Sequence, residues 1–308
     1  MWLLKYLCTL LILKTLSPAN TLFLRLYLLL TLLLLSTPTF FSSRLFIEFI
    51  ILIFLGLSYS TFQNSLSNLI TFFLIQTLAS LSIFISFTLN LSILLSISVL
   101  LKLSMFPVHI WFMSVAYRFP TLILFLISTI HKLPVFYIIS TFVYFDNFTL
   151  HLLFFSIVIS LLVSGLTICT ISDSRLLLVT SSIGNNTWFL LSRIVSLSFF
   201  LIFLAIYTIF LYSTFSTFSY QSNPIPNKSY LFSLNIVLLS ALPPSPLFFL
   251  KLYLLYLIIT MFETPVTNSF FIPILLSAST ILVSYLRHIF KLLTNSYNRI
   301  PQILLLKL

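Results

Sequence analysis

Charge is what this sequence has least of: 6% of its 308 residues are Asp, Glu, Lys or Arg, while 60% are hydrophobic. A water-soluble domain cannot cover its surface with so little charge, so that class is excluded. Acids are scarcest, four (Glu48, Asp146, Asp173 and Glu263) against fifteen Lys and Arg, for a formal charge of +11. Most of the bases flank or interrupt apolar runs, so anionic lipid headgroups or acidic partner subunits are the expected counter-charges, not nucleic acid. The two cysteines, Cys8 and Cys169, stand in apolar stretches without metal-ligand spacing, which excludes a disulfide framework or a zinc site built on them. Only three glycines occur (Gly56, Gly165, Gly184), so glycine pairs cannot be the general means of close helix packing. Serine is expected to supply small contact surfaces and interhelical hydrogen bonds.

What is abundant is long apolar sequence, with a mean hydropathy of +1.20. A helix needs about 20 apolar residues to span a bilayer, so a chain of this length has room for roughly ten crossings. Hydropathy with Pro, Asn and charge punctuation places them near 20–36, 41–60, 66–88, 90–106, 119–145, 149–170, 175–192, 194–215, 231–261 and 268–293. The expected organisation is a single all-α membrane domain over 1–308. It has an N-terminal extension (1–17), a first group of eight helices (20–215), a polar loop (216–230) and two last helices (231–293). Met1 to Ala19 has some features of a signal peptide but lacks its cleavage pattern, and reads as a retained segment.

A charge at the centre of a membrane helix costs about 2.5–3.5 kcal/mol on insertion scales, so each needs a partner, water or a function. Glu48, Lys102, Lys132 and Lys251 fall inside expected spans. Lys5, Lys14, Arg25, Lys291 and Lys307 lie close enough to helix ends to snorkel, whereas Lys132 and Lys251 lie beyond that reach. Proline marks two of the same places: Lys102 precedes Pro107, and Lys251 follows Pro243, Pro244 and Pro246. Proline breaks the helical ladder, which a membrane tolerates where the freed carbonyls face protein or a water-filled cavity. The breaks fall in the fourth and ninth spans, equivalent positions in two blocks of five. That is the pattern of an antiporter-like protein built from two five-helix inverted repeats with interrupted helices. Prolines that merely kink a helix to fit its neighbours would look the same. His109, seven residues after Lys102, shares its face if the helix is continuous, and His131 adjoins Lys132; either imidazole would pass protons or serve as a hydrogen-bonded structural residue. His151 and His288 sit near span ends.

The stretch Lys102 to Trp111, with Pro107 and His109 between, followed by His131-Lys132-Leu133-Pro134, resembles subunit 2 of mitochondrial NADH dehydrogenase, respiratory complex I. Four further stretches agree in order and spacing: Arg44 to Glu48; Phe73 to Ser80, with Gln76; Arg175 to Ile183, with Trp188; and Leu242-Pro243-Pro244 leading to Lys251. Tyr285-Leu286-Arg287 closes the series, and the resemblance covers about 20–293. It departs in its glycines, as at Ser104, and in the absence of Pro-Glu at Phe112-Met113-Ser114. Residues 1–17 precede the family's usual start, and its usual last span is missing after the tenth.

The resemblance implies a core membrane-arm subunit coupling electron transfer from NADH to ubiquinone with proton translocation across the mitochondrial inner membrane. Glu48 and Lys102 would form an ion pair responsive to the neighbouring subunit, Lys132 would be the central proton carrier, and Lys251 would lie on the path to the far side, with His109 and His131 as relays. A desolvated lysine holds its proton less tightly and a nearby carboxylate restores it, so moving the carboxylate loads or unloads the proton. Its partners would be other membrane-arm subunits and phospholipids including cardiolipin. No Gly-x-Gly-x-x-Gly or cysteine cluster exists to hold nicotinamide, flavin or iron–sulfur, so this subunit is expected to carry no cofactor and to share the enzyme's activity only as a member of the complex. A free-standing cation/proton antiporter or channel is the alternative, weakened by the single intramembrane acid. A membrane-bound transferase is disfavoured because its paired acids are missing.

Overall fold

The structure, a computed structural model, describes residues 18–61, 66–141, 146–171, 173–218, 226–243, 245–261 and 272–291. The N-terminal extension 1–17, the lysines Lys5, Lys14 and Lys307, and Pro244 lie outside the described residues. All regular structure there is helical, as the apolar runs require, because only a helix satisfies every backbone group within one crossing.

In chain order the helices are α1 (Pro18–Leu34), α2 (Phe40–Thr61), α3 (Leu66–Thr88), α4 (Ser92–Lys102), α5 (Ile110–Ala116) and α6 (Thr121–Ser128). A 3-10 turn (Ile130–Lys132) leads to α7 (Leu133–Thr141), followed by α8 (Asn147–Thr170), α9 (Ser174–Val195), α10 (Leu197–Phe218), α11 (Pro226–Leu239) and α12 (Pro246–Met261). The last described helix is α13 (Ile272–Lys291). Six helical stretches are long and apolar enough to cross a membrane: α2, α3, Thr121–Thr141, Phe148–Thr170, Leu197–Thr217 and α13. The shorter α1, α4, the broken pair α11/α12 and the polar α9 match the other expected spans, while α5 lies between the spans expected at 90–106 and 119–145. The chain is a polytopic α-helical membrane protein of antiporter-like architecture.

Two expectations are corrected. The span expected over 119–145 is not one continuous helix: it is interrupted at Ile130–Lys132, where Pro134 denies the ladder a donor. Serine, expected to join helices, does so from Ser80 to Glu48, but most serine hydroxyls among the described residues turn to their own helix. Ser156, Ser160 and Ser164 each donate to the carbonyl three residues back in their own helix. That carbonyl is the nearest acceptor in apolar surroundings. Of the polar loop expected at 216–230, residues 219–225 lie outside the described residues, while 216–218 end α10 and 226–230 begin α11.

Two compact units emerge, one comprising 1–102, 118–120 and 133–144, the other 103–117, 121–132 and 145–308. In the first, α1 packs on α2, α2 on α3 and α3 on α4, with α7 against α1 and α2. Its core is a file of rings, Tyr27, Phe54, Phe72 and Phe119, at centroid separations of 5.9, 5.2 and 6.0 Å. Each such pair adds about 0.5–1.5 kcal/mol beyond its buried area. The opposite face of α1 exposes Leu22, Leu26, Leu29 and Leu33, as a lipid-facing helix would.

In the second unit α9 is the axis: α5, α6, α8, α10 and α12 all pack against it. Every residue from Leu177 to Ser192 is buried. Gly165 lets α13 approach α8 closely, since a Cβ there would collide with the Thr280 hydroxyl.

Candidate functional site

Three lysines are placed at or beside helix interruptions. Lys102 is the last residue of α4, and Lys132 ends the 3-10 turn between α6 and α7. Lys251 lies in the second turn of α12, just after the break that separates it from α11.

The two proline-marked breaks share one local plan. Each helix ends, and two residues later a non-glycine residue takes the left-handed conformation: Ser104 (φ 55) after Lys102, Ala241 (φ 59) after Leu239. The Phe106–Pro107 bond is cis. The carbonyl freed at Leu103 accepts a 2.6 Å hydrogen bond from Asn186 Nδ2 on α9. The second break restarts at Ser245, whose backbone N–H bonds the Leu242 carbonyl at 2.7 Å and whose hydroxyl accepts from the Phe248 N–H at 3.4 Å, capping α12.

Within the first unit, Lys102 is buried and its Nζ makes no hydrogen bond among the described residues. Glu48, half-buried on α2, accepts a short hydrogen bond from the Ser80 hydroxyl on α3. Glu48 and Arg44 are the charged groups whose fields reach Lys102, so carboxylate and ammonium interact without a closed salt bridge. Arg44 itself sits over the Phe84 ring, 3.9 Å from its centroid, an arrangement that holds a guanidinium without a carboxylate.

Within the second unit, the surroundings of the two lysines are aromatic. Lys132 is buried, its Nζ has no hydrogen-bond partner among the described residues, and it lies 6.0 Å from the Phe189 ring centroid. Lys251 Nζ stands 5.3 Å from the centroid of Trp188. Successive residues of one helix thus face the two lysines. A small, mostly apolar cavity with room for about one water molecule has Ser128, one turn before Lys132, and Ser182 in its lining.

His131 is buried beside Lys132 in the 3-10 turn. His109 is half-buried and stacks on Phe106, with ring centroids 6.2 Å apart. Because the helix stops at Lys102 and restarts at Ile110, the two-turn register expected between Lys102 and His109 does not exist.

Residue reasoning passed over the polar content of α9. Thr180, Ser181, Ser182, Asn185, Asn186 and Thr187 are all buried there. The visible signal was Asn185-Asn186-Thr187 in the middle of an expected span, since adjacent amides in a membrane helix need partners as much as a charge does.

Solved structures with a similar fold include two respiratory membrane complexes. One is respiratory complex I from Thermus thermophilus with bound aureothin, matched with a TM-score of 0.71 at 18% identity, over 88% of this chain and 69% of that one. The other is the membrane-bound sulfane sulfur reductase, an archaeal respiratory membrane complex, with a TM-score of 0.72 at 14% identity, over 93% of this chain and 68% of that one. The chain shares their fold. No family model matches the sequence, and no curated protein does.

Proposed function

We propose that this chain is an antiporter-like membrane-arm subunit of a proton-translocating NADH:ubiquinone oxidoreductase, equivalent to subunit 2 of complex I in the mitochondrial inner membrane. The observation that carries this reading is the placement of Lys102, Lys132 and Lys251 at or beside helix interruptions, two of them buried without a hydrogen-bonding partner among the described residues. A water-soluble or purely structural role does not account for two such ammonium groups inside membrane helices. The fold shared with two respiratory membrane complexes supports the same reading.

Lys132 takes the part of the central carrier, receiving a proton through water at the Ser128 and Ser182 cavity. Lys102 responds to Glu48, whose carboxylate favours the charged ammonium; withdrawal of that field favours release. Lys251, over Trp188, continues the path beyond α9. Redox chemistry would belong to other subunits, and this chain's share of catalysis is to hold and pass protons. Other membrane-arm subunits and phospholipids including cardiolipin would cover its lipid-facing and partner-facing surfaces.

The test starts with solubilised native membrane resolved on a native gel, with this chain located by mass spectrometry. Co-migration with NADH dehydrogenase activity in a large complex is expected, and Lys132→Met in that complex should lower the protons moved per NADH oxidised. A small independent band would instead favour a free-standing cation/proton antiporter or channel.

A further inference from the structure

In the first unit the charged side chains of α2 are held by α3. Arg44 and Glu48 stand one turn apart on α2, the spacing at which a guanidinium and a carboxylate can pair along one helix. Here each reaches across to α3 instead: Arg44 lies over the Phe84 ring, and Glu48 accepts from the Ser80 hydroxyl. Ser80 and Phe84 are likewise one turn apart, so the packing of α2 on α3, reversed in residue order, makes two rungs. The fields of both charges reach Lys102, yet among the described residues its ammonium is hydrogen-bonded to neither.

The Ser80 hydroxyl has one hydrogen and two acceptors within reach. Its oxygen lies 2.9 Å from the Thr77 carbonyl of its own helix and also meets Oε1 of Glu48. Ser82 and Ser86 on the same helix turn to the carbonyl three residues back, as serine does in apolar surroundings. A hydroxyl donates one hydrogen bond and accepts others, whereas a charged carboxylate only accepts and a protonated one also donates. Ser80 therefore suits Glu48 in both of its states. Against the charged carboxylate its hydrogen points to Oε1, a charge-assisted bond about twice as strong as the neutral bond to Thr77 that it replaces. Against the protonated acid the Ser80 oxygen accepts from the acid O–H, and its own hydrogen swings to the Thr77 carbonyl. The change is a rotation about the Cβ–Oγ bond, and no covalent bond of the serine is made or broken. Ser80 is buried, so bulk water does not stand in for it.

We propose that Ser80 is a positioning residue for proton coupling: it holds the Glu48 side chain against α3 in either charge state and keeps the carboxylate from closing on Lys102. This rests on the proton-carrying reading above. With the serine hydroxyl gone, the cations left to Glu48 within the described part of this unit are Arg44, already engaged by Phe84, and Lys102. An ammonium and a carboxylate that close on each other away from water attract far more strongly than in it. Lys102 would then be locked in its charged form and could no longer respond to Glu48.

The experiment measures protons moved per NADH in reconstituted vesicles of the intact complex for Ser80→Ala, Ser80→Thr and Glu48→Gln. Ser80→Ala should lower pumping, Ser80→Thr, which keeps a hydroxyl, should retain most of it, and Ser80→Ala should add no loss on a Glu48→Gln background. Normal pumping in Ser80→Ala beside a defective Glu48→Gln would overturn the positioning role and leave the proposed function standing. A further loss in the Ser80→Ala/Glu48→Gln variant would overturn it too, because the serine would then act through something other than Glu48. Normal pumping in Ser80→Ala, Glu48→Gln and Lys132→Met would remove the function as well. Should Ser80→Ala fail to assemble, Ser80→Val is compared with Ser80→Thr, which has the same shape and differs in its hydroxyl. Pumping kept by threonine and lost by valine is expected, and equal pumping in the two would sink the proposal.

Discussion

Lys102 and Lys132 are buried alike, 7% and 5% exposed, yet their surroundings differ in kind. Lys102 feels a carboxylate, Glu48, and a second cation, Arg44, from the same helix. Lys132 has a phenyl ring and a buried imidazole neighbour. A site whose charge balance depends on another side chain can be switched by moving that side chain. A site without one depends on water reaching it. The first arrangement suits a trigger and the second a carrier, and variants that separate the two are the way to break the comparison.

The largest effect is expected from Glu48→Gln. It leaves Lys102 buried beside Arg44 alone, and loss of one partner of a charged pair costs about 2–3 kcal/mol, below the fully buried figure because Glu48 is half-exposed. The melting temperature of the solubilised complex should fall, and adding Lys102→Met should recover most of the loss. The same cycle on Lys132 has no carboxylate to remove among the described residues, so a variant at Glu48 that left Lys102 unaffected would erase the distinction between the sites.

Next is Asn186→Leu. It removes the donor that α9 supplies to the Leu103 carbonyl, freed by the helix break, and leaves that carbonyl the Ser104 hydroxyl alone, at a cost of about 0.5–1.5 kcal/mol. Replacing Asn235, whose amide bonds the Ser213 carbonyl inside α10, should cost less because α10 already pairs that carbonyl within its own ladder. Equal losses on thermal unfolding would mean that the break's freed carbonyl is paired by something other than α9.

These two residues also mark what the sequence could and could not disclose. Helix positions were legible because hydropathy and proline obey constraints that act within one segment, as at Pro107 and Pro243. The interruption at Lys132 was equally written, in Pro134, but a proline just after His131-Lys132 reads first as part of a motif. Asn186 was not legible as a carbonyl's partner, since its bond to Leu103 joins residues far apart in sequence. Nor was the ring under each lysine: that Trp188 and Phe189, one residue apart, face different lysines follows from how α6, α12 and α9 pack. Ser80 stood in a quoted stretch, but its bond to Glu48 depends on the pairing of α2 with α3.

A charged Lys251 over Trp188 should show a coupling of about 0.5–2 kcal/mol in a double-mutant cycle of Trp188→Leu with Lys251→Met. The matching cycle of Phe189→Leu with Lys132→Met should show less, since the ring is further away at 6.0 Å and phenyl attracts cations more weakly than indole. Coupling of the reverse order would place the resting charge on Lys132.

The smallest expected effect compares the two proline-marked breaks with each other. Ser104 and Ala241 both hold left-handed backbone that disfavours a Cβ by roughly 1–2 kcal/mol, whereas glycine enters it without that penalty. Part of the gain is lost again because glycine is freer in the unfolded chain. Ser104→Gly and Ala241→Gly should therefore each raise stability by about 0.5–1 kcal/mol, read as a higher melting temperature of the complex. Ser104 is the stricter case, because its own hydroxyl turns back to the Leu103 carbonyl that Asn186 already holds, so its removal leaves that acceptor paired. If Ala241→Gly stabilised and Ser104→Gly did not, the serine hydroxyl would be contributing to the break beside Lys102, and the two halves of the chain would keep the same backbone plan with different chemistry in it.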